Sequence, residues 1–162
     1  LVGDYRRWTA GTAMLEAAER LTPVDRQPAG QQYLLLVGGL RALADNTHDP
    51  RMVLDAYLLR SMAVSGWTPS FSDCARCGAR GPHRSFHLAS GGAMCASCRP
   101  AGSATPRPEA LVLLGALLSG EWELVDDADQ RVQREGSSLV AAFVQWHLER
   151  QLRSLPLVEA AP

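Results

Sequence analysis

Residues 74–99 read CARCGARGPHRSFHLASGGAMCASCR, and the four cysteines of this stretch are all that the chain has. Cys74 and Cys77 stand two residues apart, as do Cys95 and Cys98, with 17 residues between the pairs. A tetrahedral zinc ion needs four soft ligands converging on one point, and each C-x2-C turn folds back to deliver two sulfurs from one short knuckle. The spacing therefore predicts a Zn2+ site with Cys74, Cys77, Cys95 and Cys98 as its ligands. Disulfide pairing suits an oxidising compartment, but no secretory signal is visible, and four cysteines in 162 residues are few for a disulfide scaffold. A thioredoxin-like redox centre needs a helix after its C-x2-C, whereas Cys77 runs into Gly78 and Gly81-Pro82, which break one.

Between the two pairs, His83 to Ala89 alternates, with Phe86 and Leu88 on one side and His87 on the other, and Ser90-Gly91-Gly92-Ala93 offers a hairpin turn. Two knuckles joined by a hairpin predict a zinc-ribbon-like module over residues 73–105, in which the metal replaces a core that so short a segment cannot build. Gly78 fits this, because the residue after a knuckle often takes a positive φ so that backbone N–H groups point at the sulfurs. The second knuckle has Arg99-Pro100 there instead. Zinc closed by four cysteines keeps no open coordination position, so the site reads as a structural brace and argues against a hydrolase. His83 and His87 are expected to face solvent rather than the metal.

Outward from the module the pattern is helical. Thr9 to Leu21 carries Met14, Leu15, Ala18 and Leu21 on one face and ends at Thr22-Pro23. From Ala29 to Ala44, Tyr33, Leu36, Val37, Leu40 and Leu43 form a wide apolar stripe, interrupted at Gly38-Gly39 by a weak point or a close helix crossing. Asp49-Pro50 starts a third helix that runs to Gly66. After a turn-rich linker from Pro100 to Pro108, a helix to Leu118 is apolar nearly all round and is expected to be central. Gly120 stops it, an acidic loop follows around Asp126 to Asp129, and a last helix from Ser137 to Arg153 shows Val140, Val144, Leu148 and Leu152 before Pro156 ends it. The expected fold is mainly α: a bundle of about five helices contributed by residues 1–72 and 106–162, with the zinc module inserted.

Charge is distributed unevenly. All sixteen basic residues are arginine, and net charge is −1. From Cys74 to Arg107 there are five arginines (Arg76, Arg80, Arg84, Arg99, Arg107) and no acid. Zinc with four thiolates lowers the segment's charge of +5 to about +3, so the sign survives. Arginine suits forked phosphate contacts and stacking on bases. An arginine-only composition also follows from codon usage in a GC-rich genome, and the rule holds outside the module. These five arginines either track a phosphate backbone or form a solvated rim around a module that merely braces the bundle. Trp67, Phe71 and Phe86 carry faces for base stacking, but packing at the junction of bundle and module is the favoured reading.

Other chemistry finds little support. No phosphate loop, dinucleotide fingerprint or nucleophile elbow occurs. His147 reads as a packed residue at the bundle edge, and Glu16, Glu19, Glu109, Glu135 and Glu149 read as helix surface or first-turn residues. Arg41 and Arg60 interrupt the longest apolar runs before they reach a spanning length, so no membrane partner is expected and the cytoplasm is the default location.

Leu59-Arg60, Gly66, Pro69, the Cys74-Ala-Arg-Cys77-Gly78 knuckle, Phe86, Gly91-Gly92 and Cys95-Ala-Ser-Cys98 follow one another in an order that resembles the C-terminal part of the RecO proteins, bacterial recombinational repair mediators. Thr9-Ala-Gly-Thr12 and Glu19-Arg20-Leu21-Thr22 resemble it too, so the likeness covers nearly the whole chain. The family begins with a DNA-binding OB-fold domain of about eighty residues. A start at Leu1 without Met then suggests a fragment, with Leu1 to Arg7 a remnant of the interdomain junction. The resemblance implies a non-enzymatic role: binding single- and double-stranded DNA, annealing strands and, with the RecR partner, helping the RecA recombinase displace single-stranded-DNA-binding protein, whose C-terminal tail docks on the helical part. It implies the four cysteines as zinc ligands residue by residue. The alternative is a zinc-braced helical scaffold for protein contacts without direct DNA binding.

Overall fold

The structure is a computed structural model that describes residues 4–22 and 29–148. The expected helix stop at Pro23, Glu149, Leu152 and the end at Pro156 lie outside the described residues. Among those described are six helices and one two-stranded sheet. Helix α1 spans Tyr5–Leu21, α2 Gly30–Asp45 and α3 Pro50–Val64; strands β1 (Ser85–His87) and β2 (Gly92–Met94) follow, then α4 (Pro108–Ser119), α5 (Trp122–Asp126) and α6 (Gln130–Leu148).

The helix starts obey the caps. Asp4 accepts from the N–H groups of Arg6 and Arg7, so α1 opens a turn earlier than its apolar pattern and includes Tyr5, Arg6 and Arg7. Asp49 accepts from Arg51 N–H at 2.8 Å and Met52 N–H at 3.4 Å ahead of Pro50, as its start signal predicts. Helix α4 begins at Pro108 and closes on Gly120 at φ 91°. The acidic segment after it is in part helical, giving α5, and α6 starts at Gln130, seven residues before the expected Ser137. Asp129 supplies that start, accepting from Arg131 N–H at 2.7 Å.

Glycine explains the misplaced boundary. A Cβ on Gly136 would lie 3.1 Å from a Leu113 methyl, so this glycine is the point where α6 crosses α4 closely, and it does not break the helix. Gly39 acts likewise: its Cβ would stand 3.0 Å from the Met14 sulfur, which places the α1–α2 crossing there, while Gly38 meets nothing. The α2 stripe is narrower than expected. Leu43 is buried and Leu36 and Leu40 pack on the core, but Tyr33 is 65 % exposed, and Gln32 is buried in its place with its amide donating to Ser61 O and Ser65 Oγ.

The central helix is α3, not α4. Every residue from Met52 to Leu59 is buried, because α3 packs against α1, α2, α4 and α6. Helix α4 buries Leu111, Leu113, Leu114 and Leu117 but leaves Val112 61 % exposed. Arg60, half-buried on α3, donates to the carbonyls of Leu117 and Leu118 and so satisfies the end of α4. Desolvation lowers its pKa. Buried Asp55 on α3 accepts from Ser137 of α6.

The hairpin belongs to the same core. Phe86 is 1 % exposed, stacked on Phe71 at 5.9 Å and edge-on to Phe143 of α6 at 6.4 Å, and Ala93 is buried with it. Strands β1 and β2 pair antiparallel, with Phe86 opposite Ala93. Each outer edge is covered: Ser70 bridges Gly92 in parallel, and Ala104 bridges Phe86 antiparallel. Ser70 backbone comes so close to Gly92 that no side chain fits there.

Candidate functional site

The knuckles are built by turns that follow from the sequence. Gly78 N–H donates to Cys74 O at 2.9 Å and Gly78 holds φ 71°, the left-handed value expected of it. Ala75 N–H donates to Ala93 O at 2.8 Å, tying the first knuckle to β2, which runs straight into Cys95. In the second knuckle, Cys98 and Arg99 N–H both donate to Cys95 O, at 3.1 and 3.0 Å, a turn that needs no glycine.

These turns bring the four sulfurs within 4.8 Å of one another. A tetrahedron of zinc–sulfur bonds has sulfur edges of about 3.8 Å, and Cys77 Sγ stands 3.8 Å from Cys95 Sγ. The set is close enough to hold a metal ion. Its protonation chemistry also fits a cation. Backbone N–H groups, first that of Cys95 and then that of Cys77, point at the Cys74 sulfur and lower its pKa to about 6. Hydrogen bonds with the Cys95 and Cys77 thiols, with burial, raise the Cys98 pKa to about 12. One thiolate is thus stabilised by the backbone, while the last is opposed by its neighbours until a positive charge sits among them. Cys74 is buried, Cys95 and Cys98 are half-buried and Cys77 is exposed.

Neither module histidine joins the cluster. His83 Nε2 lies 2.8 Å from Ala79 O, and His87 Nδ1 lies 2.8 Å from Ser90 Oγ, so both are half-buried turn anchors rather than solvent-facing residues. His147 packs edge-on against Phe143 at 4.5 Å and tilts against Trp67 at 5.7 Å. Phe86, fully enclosed, has no face to offer a base.

All five module arginines are exposed, but they do not form one uniform stripe. Arg107 is engaged: its guanidinium pairs with Glu135 Oε2 at 3.1 Å, and its N–H donates to Glu135 Oε1 at 3.1 Å. Arg80 lines a groove of about 970 Å3 between the module and α4–α5, whose walls include Phe71, Pro82, His83, Leu111 and Val112. Arg84 and Arg99 line a separate cleft with Thr105, Pro106 and Pro108. Sequence reading missed the groove, since its walls are separate segments joined only in space, and it missed Arg60, whose partners are carbonyls that leave no residue-type signal. Among the described residues no helix is long and apolar enough to cross a membrane.

Fold and site together define a helix-bundle protein with a four-cysteine hairpin, close enough in its sulfurs to hold a metal ion, inserted between its third and fourth helices. A family model described as Recombination protein O C terminal matches residues 2–156. The chain is 61 % identical over 159 residues to the DNA repair protein RecO of Streptomyces avermitilis, covering 98 % of this chain and 64 % of that protein. It is 57 % identical over 161 residues to that of Thermobifida fusca, covering 99 % and 66 %. The chain belongs to the RecO family. It spans just under two thirds of the length of the curated relatives it matches, 64 % for the first.

Proposed function

We propose that the chain is the DNA-binding, non-enzymatic part of a recombinational repair mediator, assisting strand annealing and recombinase loading onto single-stranded DNA. Its proposed partners are single- and double-stranded DNA, RecR and the tail of single-stranded-DNA-binding protein. The observation that carries this reading is the exposure of all five module arginines in a segment without a single acid, on a chain that belongs to the RecO family. Annealing needs two strands held with their repulsion screened and their bases accessible, and a basic surface supplies this through counterion release. Cys74, Cys77, Cys95 and Cys98 are proposed to hold Zn2+, which fixes the knuckles that present Arg76, Arg80, Arg84 and Arg99. When bound, the ion supplies a cross-link and no open coordination position.

The apolar groove beside α4, with Val112 and Leu124 exposed along it, favours a second reading in which the chain serves protein contacts only. Titration of the zinc-loaded chain with labelled single-stranded DNA over a range of salt separates the two. Five phosphate contacts give a slope of up to about −3.5 in log K against log salt; four, with Arg107 kept by Glu135, give about −2.8. Absent or salt-insensitive binding counts for the scaffold.

A further inference from the structure

Arg84 stands immediately before β1 and Arg99 immediately after Cys98, so the hairpin and second knuckle deliver them from two different segments to one cleft of about 490 Å3. Neither has an acidic partner among the described residues, in contrast to Arg107. Two arginines lining one cleft without a counter-charge give it a positive potential that favours an anion there. Thr105 adds a hydroxyl donor, and Pro106 and Pro108 form a wall that offers no N–H and little flexibility.

The geometry points to a phosphodiester seat for single-stranded DNA, in which Arg84 and Arg99 clasp one phosphate from two sides and the Thr105 hydroxyl donates to it. This rests on the DNA-binding reading above and assigns unequal work to the arginines. The seat is held by backbone that is already fixed. Arg99 N–H donates to Cys95 O at 3.0 Å, and Ala104, next to Thr105, exchanges hydrogen bonds of 2.9 and 2.8 Å with Phe86, two residues from Arg84. Forked donors on a fixed frame lose little entropy when a phosphate arrives. Pro108 lines both this cleft and the larger groove, whose walls include Phe71 and Pro82, apolar surface suited to a base. Arg80 waits in that groove for the next phosphate.

The test is fluorescence anisotropy of labelled oligothymidylate with the zinc-loaded chain, at several salt concentrations, for the unaltered protein, Arg84→Gln, Arg99→Gln, their double variant, Arg76→Gln and Thr105→Val. Each of Arg84→Gln and Arg99→Gln is expected to weaken binding about fivefold, and Thr105→Val about twofold. Because one phosphate is shared, the double variant flattens the salt slope by about 0.7 rather than about 1.4, and its two substitutions are non-additive, whereas Arg76→Gln adds to either. Zinc content and circular dichroism stay unchanged, since the side chains are exposed. Binding of the unaltered chain with full affinity retained in both arginine variants overturns the seat and leaves the DNA reading standing. A slope change of about 1.4 in the double variant overturns the shared clasp. No binding by the unaltered chain overturns both.

Discussion

Replacing Phe86 by alanine tests whether the four-cysteine hairpin and the helices share one core. The Phe86 ring is 1 % exposed and sits between Phe71 at 5.9 Å and Phe143 at 6.4 Å. A buried phenylalanine takes about 150–200 Å2 from water, worth about 4–5 kcal/mol at about 25 cal/mol per Å2. Extended-chain areas overstate burial, while the residual cavity and the two lost ring contacts act in the opposite direction, so about 4 kcal/mol is expected. With a urea slope of about 2 kcal/mol per molar, the midpoint falls by about 2 M. The signal to follow is helical circular dichroism of the zinc-loaded protein, because Phe143 lies on α6, far from the knuckles in sequence. Phe86→Leu, which keeps most of the volume, should lose under about 1.5 kcal/mol. A helical midpoint that moves by less than about 0.5 M in Phe86→Ala, with zinc retained, would refute the shared core.

Arg60→Met keeps the length of the side chain but removes its donors from Leu117 O and Leu118 O. Its expected cost is about 1–3 kcal/mol, or a fall of about 2–12 °C in Tm for a chain of this size, and because the partners are carbonyls the loss should persist in high salt; recovery with added salt would point to an ion pair instead. Chelation should unfold the hairpin, since apparent binding of structural zinc amounts to about 10–16 kcal/mol and exceeds what Phe86 and Leu88 contribute. Losing Phe86 and Ala93 from the common core should also lower the thermal midpoint of the helices that remain. Proteolysis before and after chelation reads this directly, and an unchanged cleavage pattern around residues 71–106 sinks the idea.

What was legible in the sequence was what neighbouring residues decide among themselves. The C-x2-C spacing, the positive φ of Gly78, the Asp49-Pro50 start and the Gly120 stop all depend on a few consecutive residues, and each appears where it was read. The errors fall where a distant segment decides. Gly136 and Asp129 looked like parts of a loop because the glycine's use, contact with Leu113 on another helix, is invisible along the chain. Helix α4 looked central from composition, yet α3 holds that place because four helices pack on it. Gln32 takes the buried place expected of Tyr33, since its amide donates to Ser61 O on α3 and to Ser65 Oγ just beyond the helix end. The same limit applies to the arginines. Sequence marks five equal charges, while folding gives Arg107 to Glu135, Arg80 to the groove, and Arg84 and Arg99 to one cleft.

The two bridges that flank the hairpin have a mechanical consequence. Ser70, on the way into the module, is fastened to β2, and Ala104, on the way out, is fastened to β1. An insertion hung from one side would swing like a flap about its two linkers. This one is clamped on both edges, across a width of about 14 Å for four adjacent backbone rows. A pull on the hairpin is therefore borne as shear across several hydrogen bonds at once. The hairpin, and with it Arg84 and Arg99, keeps a fixed bearing relative to the segments on either side of it.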